Sequence, residues 1–263
     1  MTTAQKSDWA PALYLRFEDE RTRPARDLLE RVPLASPKHI VDIGCGPGNS
    51  TELLAKRWPD ADILGLDTSP AMIEAAKTRL PGCRFALADV ATWTPAEAPD
   101  VIFGNAVLQW VPNHKTLLPR LLGCLAPGGV LAIQMPDNLD ERSHVAMRET
   151  AAEPAFAAYT AAAAGARTTL APLPDTYDDL AAAADNVDVW RTIYHHRMDD
   201  PAAIVEWLKA TGLRPFLDAL PAELRPAFLQ SYEAKIDAAY PLRSDGRRLL
   251  AFPRIFIVAQ RRV

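Results

Sequence analysis

Short apolar runs, each ending at a polar or glycine position, alternate with segments of helical character over the first half of this chain. Ile40, Val41 and Ile43 read as a buried strand, and the run 61–66 ends in an acid at Asp67. Phe85-Ala86-Leu87-Ala88 leads to Asp89 and Val90, Val101-Ile102-Phe103-Gly104 leads to Asn105, and Val130-Leu131-Ala132-Ile133 follows Pro127-Gly128-Gly129. The alternation over residues 37–136 implies a parallel sheet with right-handed crossovers. Ligands of such sheets bind at the carboxyl ends of the strands. Local signals agree. Asn49, Ser50 and Thr51 are placed to cap the helix after the first strand, and Ser69-Pro70 suits an N-cap and first helical position. Pro127-Gly128 fits a type II turn with positive φ at glycine.

The flanking segments follow other patterns. Residues 1–36 read as a helical N-terminal arm, with Trp9, Leu13, Tyr14 and Phe17 at or near helical spacing around Pro11. Those aromatics either pack on the core or cover a ligand. Arg21-Thr22-Arg23-Pro24 opens a helix reaching Val32. After Pro136 the chain turns alanine-rich. Residues 137–186, with runs at 161–164 and 181–184 divided by Pro172-Leu173-Pro174, read as an inserted helical cap. Residues 187–263 are expected to complete the sheet and the substrate pocket. Positions 187–198 are β-branched and aromatic and favour a strand, helices follow at 201–212 and 223–240, and 254–259 forms a last strand.

The candidate chemistry lies in the turn after the first strand. Gly44, Gly46 and Gly48 make a tight turn that lets backbone N–H groups approach a ligand. Asp67, about twenty residues on, can accept hydrogen bonds from two ribose hydroxyls. The chain is therefore read as binding an adenosine-containing cofactor. The dinucleotide pattern Gly-x-Gly-x-x-Gly is not met, because Asn49 stands at its third glycine, and no P-loop sequence occurs here.

Composition narrows the classes. The chain has 263 residues, a net charge of −4 and a pI of about 5.8, with no basic stripe to suggest a nucleic-acid partner. No apolar run approaches the ~20 residues that cross a bilayer, and the N-terminus has no hydrophobic signal core, so a cytoplasmic protein without a membrane partner is expected. Cys45, Cys83 and Cys124 give no disulfide framework, and no His/Cys/Asp spacing suggests a metal site. Cys45 reads as a small residue beside the ligand rather than a nucleophile.

The motif Val41-Asp42-Ile43-Gly44-Cys45-Gly46-Pro47-Gly48 resembles the first motif of class I methyltransferases, which use S-adenosylmethionine. The Asp67, Asp89, Asn105 and Pro127-Gly128-Gly129 segments follow in that family's order. The resemblance implies an α/β fold, a doubly wound, mostly parallel, seven-stranded Rossmann-like sheet with a helical cap, whose two late strands form the closing antiparallel pair. It also implies a cofactor site of Asp42, Gly44, Cys45, Gly46, Gly48, Asp67, Thr68, Met72, Asp89, Val90 and Asn105, with Trp9 and Tyr14 from the arm. In that reading Met72 packs on the adenine, Asp89 reads its amino group, and the backbone at Val90 meets a ring nitrogen. S-Adenosylhomocysteine is the product.

Narrower stretches resemble the trans-aconitate methyltransferase branch. These include Asp8-Trp9, Gln109-Trp110-Val111-Pro112-Asn113-His114, Gln134-Met135-Pro136-Asp137-Asn138 and Trp207-Leu208-Lys209-x-Thr211-Gly212-Leu213-Arg214-Pro215. That likeness implies monomethyl esterification of a small tricarboxylate; the sequence carries no clear oligomeric signal, and a monomer is expected. Gln109, Trp110, Trp190, Tyr194, Arg197 and Arg243 are the substrate candidates, with Arg142, Arg148, Arg191 and Arg254 as further cations, because guanidinium forks bind carboxylates. No catalytic base is assigned, because a carboxylic acid with a pKa near 4 is already ionised at neutral pH. Another small acid or a phenol as acceptor, an inactive cofactor-binding regulator, and a nicotinamide dehydrogenase are the alternatives. The missing third glycine and the lack of a Tyr-x-x-x-Lys pair weigh against the last.

Overall fold

The structure is a computed structural model that describes residues 18–209 and 211–263. The expected arm residues Trp9 and Tyr14 lie outside them. Five strands, β1 (His39–Ile43), β2 (Asp62–Asp67), β3 (Arg84–Leu87), β4 (Val101–Asn105) and β5 (Val130–Pro136), pair in parallel. With β6 (Ala184–Met198) and β7 (Arg248–Arg261) they form a seven-stranded sheet in the order β3-β2-β1-β4-β5-β7-β6. The expected α/β, doubly wound fold is thus observed.

Strand β7 runs antiparallel to β5. The N–H of Arg261 donates to the carbonyl of Gly129 (2.8 Å), whereas the N–H of Asp137 donates to that of Pro253 (2.9 Å), so rising numbers on one strand face falling numbers on the other. The order reverses between β1 and β4, which opens the crevice where open α/β sheets bind ligands.

The helices are α1 (Glu18–Leu29), α2 (Asn49–Arg57), α3 (Pro70–Arg79), α4 (His114–Cys124), α5 (Arg142–Ala151), α6 (Ala157–Thr160), α7 (Leu173–Ala181), α8 (Pro201–Lys209), α9 (Arg214–Ala219) and α10 (Arg225–Ala239). The chain divides into two compact units. The first takes residues up to Met135, Leu170–Arg191 and Ile255–Val263; the second takes Pro136–Thr169 and Thr192–Arg254. The alanine-rich segment expected to form one cap is shared between them.

Within the first unit the core gathers Val41 and Ile43, Ile102, Leu131 and Ile133, Leu117, Leu118 and Leu121 of α4, and Ile255 and Ile257. All of β5 is buried, hence its apolar run, broken only by the buried Gln134, rather than an alternating one. Gly104 on β4 lies where a Cβ would meet Ile43 and Ile133 at 2.9 Å, so the central strands pack closely only because it is glycine.

Four local expectations need correction. Helix α1 already includes Glu18, so Pro24 lies inside it rather than at its start. Asn49, Ser50 and Thr51 do not cap α2. Its N-cap is Gly48 at φ 93°, with no side-chain bond, and the two hydroxyls turn inward to a buried acid instead. The run 181–184 does not continue a helix, because α7 ends at Ala181 and Ala184 opens β6. Backbone pairing prevails there over alanine's helix propensity: the N–H of Arg262, just past β7, donates to Ala183 (3.2 Å). The last strand is also longer than the apolar run 254–259, since pairing extends it to Arg248 and Arg261.

Candidate cofactor site

The first unit brings its chemistry together at the carboxyl ends of β1, β2 and β4. Gly44, Gly46 and Gly48 all adopt positive φ (64°, 54° and 93°), a conformation in which a Cβ is strained. A side chain at Gly44 would overlap Val107, whereas one at Gly46 would meet nothing within 4 Å. The turn is stapled to the neighbouring strand. The N–H of Cys45 donates to the carbonyl of Leu66 (2.9 Å), and that of Gly46 donates to Asp67 Oδ2 (2.9 Å). The other carboxylate oxygen, Asp67 Oδ1, accepts from the N–H of Ser69 (2.9 Å). Ser69 in turn caps α3, its Oγ accepting from the N–H of the buried Met72 (3.2 Å), with Pro70 in the first turn as expected. Thr68, between Asp67 and Ser69, is exposed.

Asp42 is fully buried, and its Oδ2 accepts from Ser50 Oγ (2.7 Å) and Thr51 Oγ1 (2.6 Å) at the start of α2. Burial pushes its carboxyl up to about 7 even though both hydroxyls favour the charged form. Asp42 therefore acts on the turn from beneath. Cys45 is buried, and burial raises its thiol, with the charges of Asp42 and Asp67 adding to the effect; such a thiol is a poor nucleophile.

The exposed Asp89 accepts from the N–H of Ala91 (2.9 Å) and so shapes the turn after β3. Arg120 of α4 reaches the carbonyls of Val90, Ala91 and Trp93 and fixes the same turn from the other side. Beyond β4, Ala106 takes the strained φ of 57° and donates its N–H to Gln134 (2.9 Å). Gln109 Nε2 donates to the Ala106 carbonyl (2.7 Å), and a 3-10 turn, Leu108–Trp110, sets the half-buried Trp110. Asn105 Oδ1 and Gln109 Oε1 are buried acceptors that receive no hydrogen bond among the described residues.

The remaining substrate candidates are dispersed. Trp190 stacks on Phe256 at 4.8 Å between centroids, and the Arg31 guanidinium lies 5.6 Å from its ring, a packing arrangement inside the first unit. In the second unit Tyr194 is buried beside His196, Arg197 is exposed and paired with Asp245 (3.7 Å), and the exposed Arg243 closes a turn through Arg247 and Gly246. His195 is exposed and His196 buried on the alternating β6, where His196 packs on Trp207 at 4.5 Å. Arg254 is buried over Phe252.

A family model described as a methyltransferase domain matches residues 17–216. Trans-aconitate 2-methyltransferase of Methylobacterium radiotolerans is 63% identical over 97% of this chain and 99% of its own length. The protein of the same name from Variovorax paradoxus is 60% identical over 97% and 99%. This chain belongs to the trans-aconitate 2-methyltransferase family. Solved structures agree on the fold. The YcgJ protein of Bacillus subtilis superposes with a TM-score of 0.60 at 14% identity, covering 92% of this chain and 99% of that one. Phosphoethanolamine N-methyltransferase 2 of Haemonchus contortus, solved with S-adenosyl-L-methionine, gives 0.55 at 17% identity, covering 92% of this chain and 53% of that one.

Three features of this family member escape a reading by motif. Arg120 looks like any helical cation, yet it holds three carbonyls. His144 and Arg167 lie outside every recognisable pattern, although both line a cavity of the second unit. The one signal for Arg167 is a lone cation in an alanine- and glycine-rich stretch, which composition alone assigns to a solvated surface.

Proposed function

We propose that this chain transfers the methyl group of S-adenosylmethionine to a carboxylate of trans-aconitate, giving the monomethyl ester and S-adenosylhomocysteine. The observation that carries the reading is the 63% identity, over nearly the whole of both chains, to a protein named for that reaction. The glycine turn supports it. It presents backbone N–H groups with open space at Gly46, and it carries no phosphate-binding lysine, as suits a cofactor without phosphate. The groups at hand fit this cofactor. Asp67 lies at the end of β2 beside the glycine turn, and its carboxylate is the group suited to ribose hydroxyls. Asn105 Oδ1 is a buried acceptor suited to an amino group. The turn 89–91 offers the acid and backbone for an adenine edge.

When bound, S-adenosylmethionine supplies a methyl group on a positively charged sulfur. The chain's residues then orient and enclose. An acceptor carboxylate is ionised at neutral pH, so no residue need remove a proton. Alignment supplies much of the rate, and exclusion of water strengthens the attraction between unlike charges. Gln109 and Trp110, on the strained turn after β4, are the residues of the first unit assigned to the acceptor. We assign the protein as a cytoplasmic monomer acting on a small molecule. Among the described residues no helix is long and apolar enough to cross a membrane.

Incubating the pure protein with S-adenosylmethionine and trans-aconitate, cis-aconitate, citrate, isocitrate or a phenol tests the reading, with mass spectrometry following ester and S-adenosylhomocysteine. A strong preference for trans-aconitate is expected. Methylation of the phenol alone, or of no acid, would remove the acceptor assignment.

A further inference from the structure

The turn that follows β4, within the first unit, is anchored at two points. At its start the N–H of Ala106 donates to the carbonyl of Gln134 on β5 (2.9 Å), and the side chain of Val107 fills the space that a Cβ at Gly44 would take. The second anchor is the carbonyl of Leu108, which accepts twice. The N–H of Val111 donates to it across the 3-10 turn (2.9 Å), and His114 Nε2 meets it at 2.8 Å. A carbonyl oxygen only accepts, so Nε2 carries the hydrogen of that bond, and both lone pairs of the oxygen are in use. The histidine link closes a loop, 108–114, that contains Gln109 and Trp110. Inside the loop the N–H of Trp110 donates to the carbonyl of Val107 (3.1 Å). Gln109 is buried, and its Nε2 is committed to the Ala106 carbonyl (2.7 Å), which fixes the orientation of its amide.

The local backbone brings His114 back over this loop. Asn113 adopts a φ of 64°, a left-handed conformation that asparagine tolerates better than most residues, and it is the N-cap of α4 without any side-chain bond. Helix α4 therefore starts at His114, whose buried ring reaches the Leu108 carbonyl. The helix has other supports. The carbonyl of Asn113 takes the N–H groups of Thr116 and Leu117, and Leu117, Leu118, Leu121 and Leu122 hold α4 in the core. The glycine turn is supported separately as well, by the carbonyl of Leu66 and the carboxylate of Asp67. The His114 bond thus belongs to the loop that carries Gln109 and Trp110 rather than to the helix or the cofactor turn.

We propose that His114 is a positioning residue for methyl transfer, which holds the Leu108 carbonyl and so fixes how Gln109 and Trp110 meet the acceptor. The inference rests on the acceptor reading above for the role of those two residues. His114 itself acts through the loop. A displacement of about 1 Å in an aligned reaction costs on the order of a hundredfold in rate, so a loop released at one anchor loses turnover. The cofactor's own supports, on β1 and β2, stay as they are.

The test compares the full-length protein with His114→Leu, His114→Asn and His114→Gln. Glutamine carries an amide N–H as many bonds from the backbone as Nε2, whereas asparagine falls one bond short. Turnover is measured with trans-aconitate, or with whichever acceptor of the panel above the wild type methylates. Melting temperature and S-adenosylhomocysteine affinity are measured beside it. The Trp110 indole resonance, assigned by its loss in Trp110→Phe, is read with S-adenosylhomocysteine bound and no acceptor present. The kcat is expected to fall about tenfold or more in His114→Leu and His114→Asn and to stay within about threefold of wild type in His114→Gln. S-Adenosylhomocysteine affinity should remain within about twofold in all three, which places the loss in the reaction step rather than in cofactor binding. The Trp110 resonance should be displaced in the leucine and asparagine variants and restored by glutamine. Turnover that follows melting temperature alone, equal losses in His114→Gln and His114→Asn, or a Trp110 resonance indifferent to His114→Asn would overturn the proposal. Failure of the acceptor reading looks different. A wild type that methylates no member of the panel, while the Trp110 resonance still follows the reach of the side chain at 114, removes the acceptor and keeps His114 as the group that sets the loop.

Discussion

Single residues around the glycine turn carry separable duties. Gly44 and Gly46 share the left-handed backbone, yet only Gly44 is hemmed in by Val107. Gly46→Ala therefore meets backbone strain alone, about 1–2 kcal/mol, and places its methyl in ligand space. Gly44→Ala adds overpacking of about 1–3 kcal/mol. The expected outcome is a melting temperature several degrees lower for Gly44→Ala than for Gly46→Ala, because 1 kcal/mol shifts a chain of this size by roughly 2–4 °C. Cofactor affinity should fall in both, and in Gly46→Ala out of proportion to its stability. Differential scanning calorimetry beside titration with S-adenosylhomocysteine separates the two. Asp67 is a sharper case, because its two oxygens already hold Gly46 and Ser69 in place. Asp67→Ala should weaken the cofactor by roughly 1.5–3 kcal/mol, the range for hydrogen bonds to a charged group. An unchanged dissociation constant would contradict the ribose assignment.

At the scale of elements, the turn after β3 depends on a helix far along the chain. Arg120 of α4 holds the carbonyls of Val90, Ala91 and Trp93, while Asp89 holds the N–H of Ala91. Arg120→Met should loosen the turn and weaken S-adenosylhomocysteine by about 1 kcal/mol, roughly the worth of one net hydrogen bond. The KM for the acceptor, measured at saturating cofactor, should stay put; a change confined to acceptor KM would place Arg120's role elsewhere. This dependence also explains what the sequence made legible. Strands β1 to β5, the Ser69-Pro70 cap and the Gly128 turn follow from local pattern, because apolar runs and special backbone angles write themselves into residue type. What Ser50 and Thr51 bond to, the strand start at Ala184, and the grip of Arg120 depend on partners distant in sequence. No periodicity encodes a guanidinium that meets carbonyls 27 and 30 positions away. The cavity of the second unit was illegible for the same reason. His144 and Gly212 meet only once α5 and the stretch after α8 are packed together, and Arg167 reaches His144 from a third segment.

For the molecule as a whole, two deeply buried groups of opposite character set the pH response of stability. Asp42, in the first unit, has its carboxyl raised from 3.8 to about 7. Between those values the unfolded chain has lost a proton that the folded chain keeps, so this contribution is fully present below 3.8 and is lost as pH rises through 7. His144, in the second unit, has its imidazole lowered from 6.5 to about 3. Between those values the unfolded chain binds a proton that the folded chain refuses, so this contribution is fully present above 6.5 and is lost as pH falls towards 3. Each slope approaches ~1.4 kcal/mol per pH unit inside its window, and the windows overlap from about pH 4 to 6.5. The paired surface acids Glu52, Asp62 and Glu153 are held low by their cations, but they are solvated and add little. Stability of the wild type should consequently change little across the overlap, because the two slopes cancel. Asp42→Asn should unmask the histidine, with stability rising from pH 4.5 to 6.5. His144→Gln should unmask the acid, with stability falling over the same range. Urea unfolding at pH 4.5, 5.5 and 6.5 reads both slopes, and parallel curves for wild type and both variants would show that neither group carries the shift that its burial imposes.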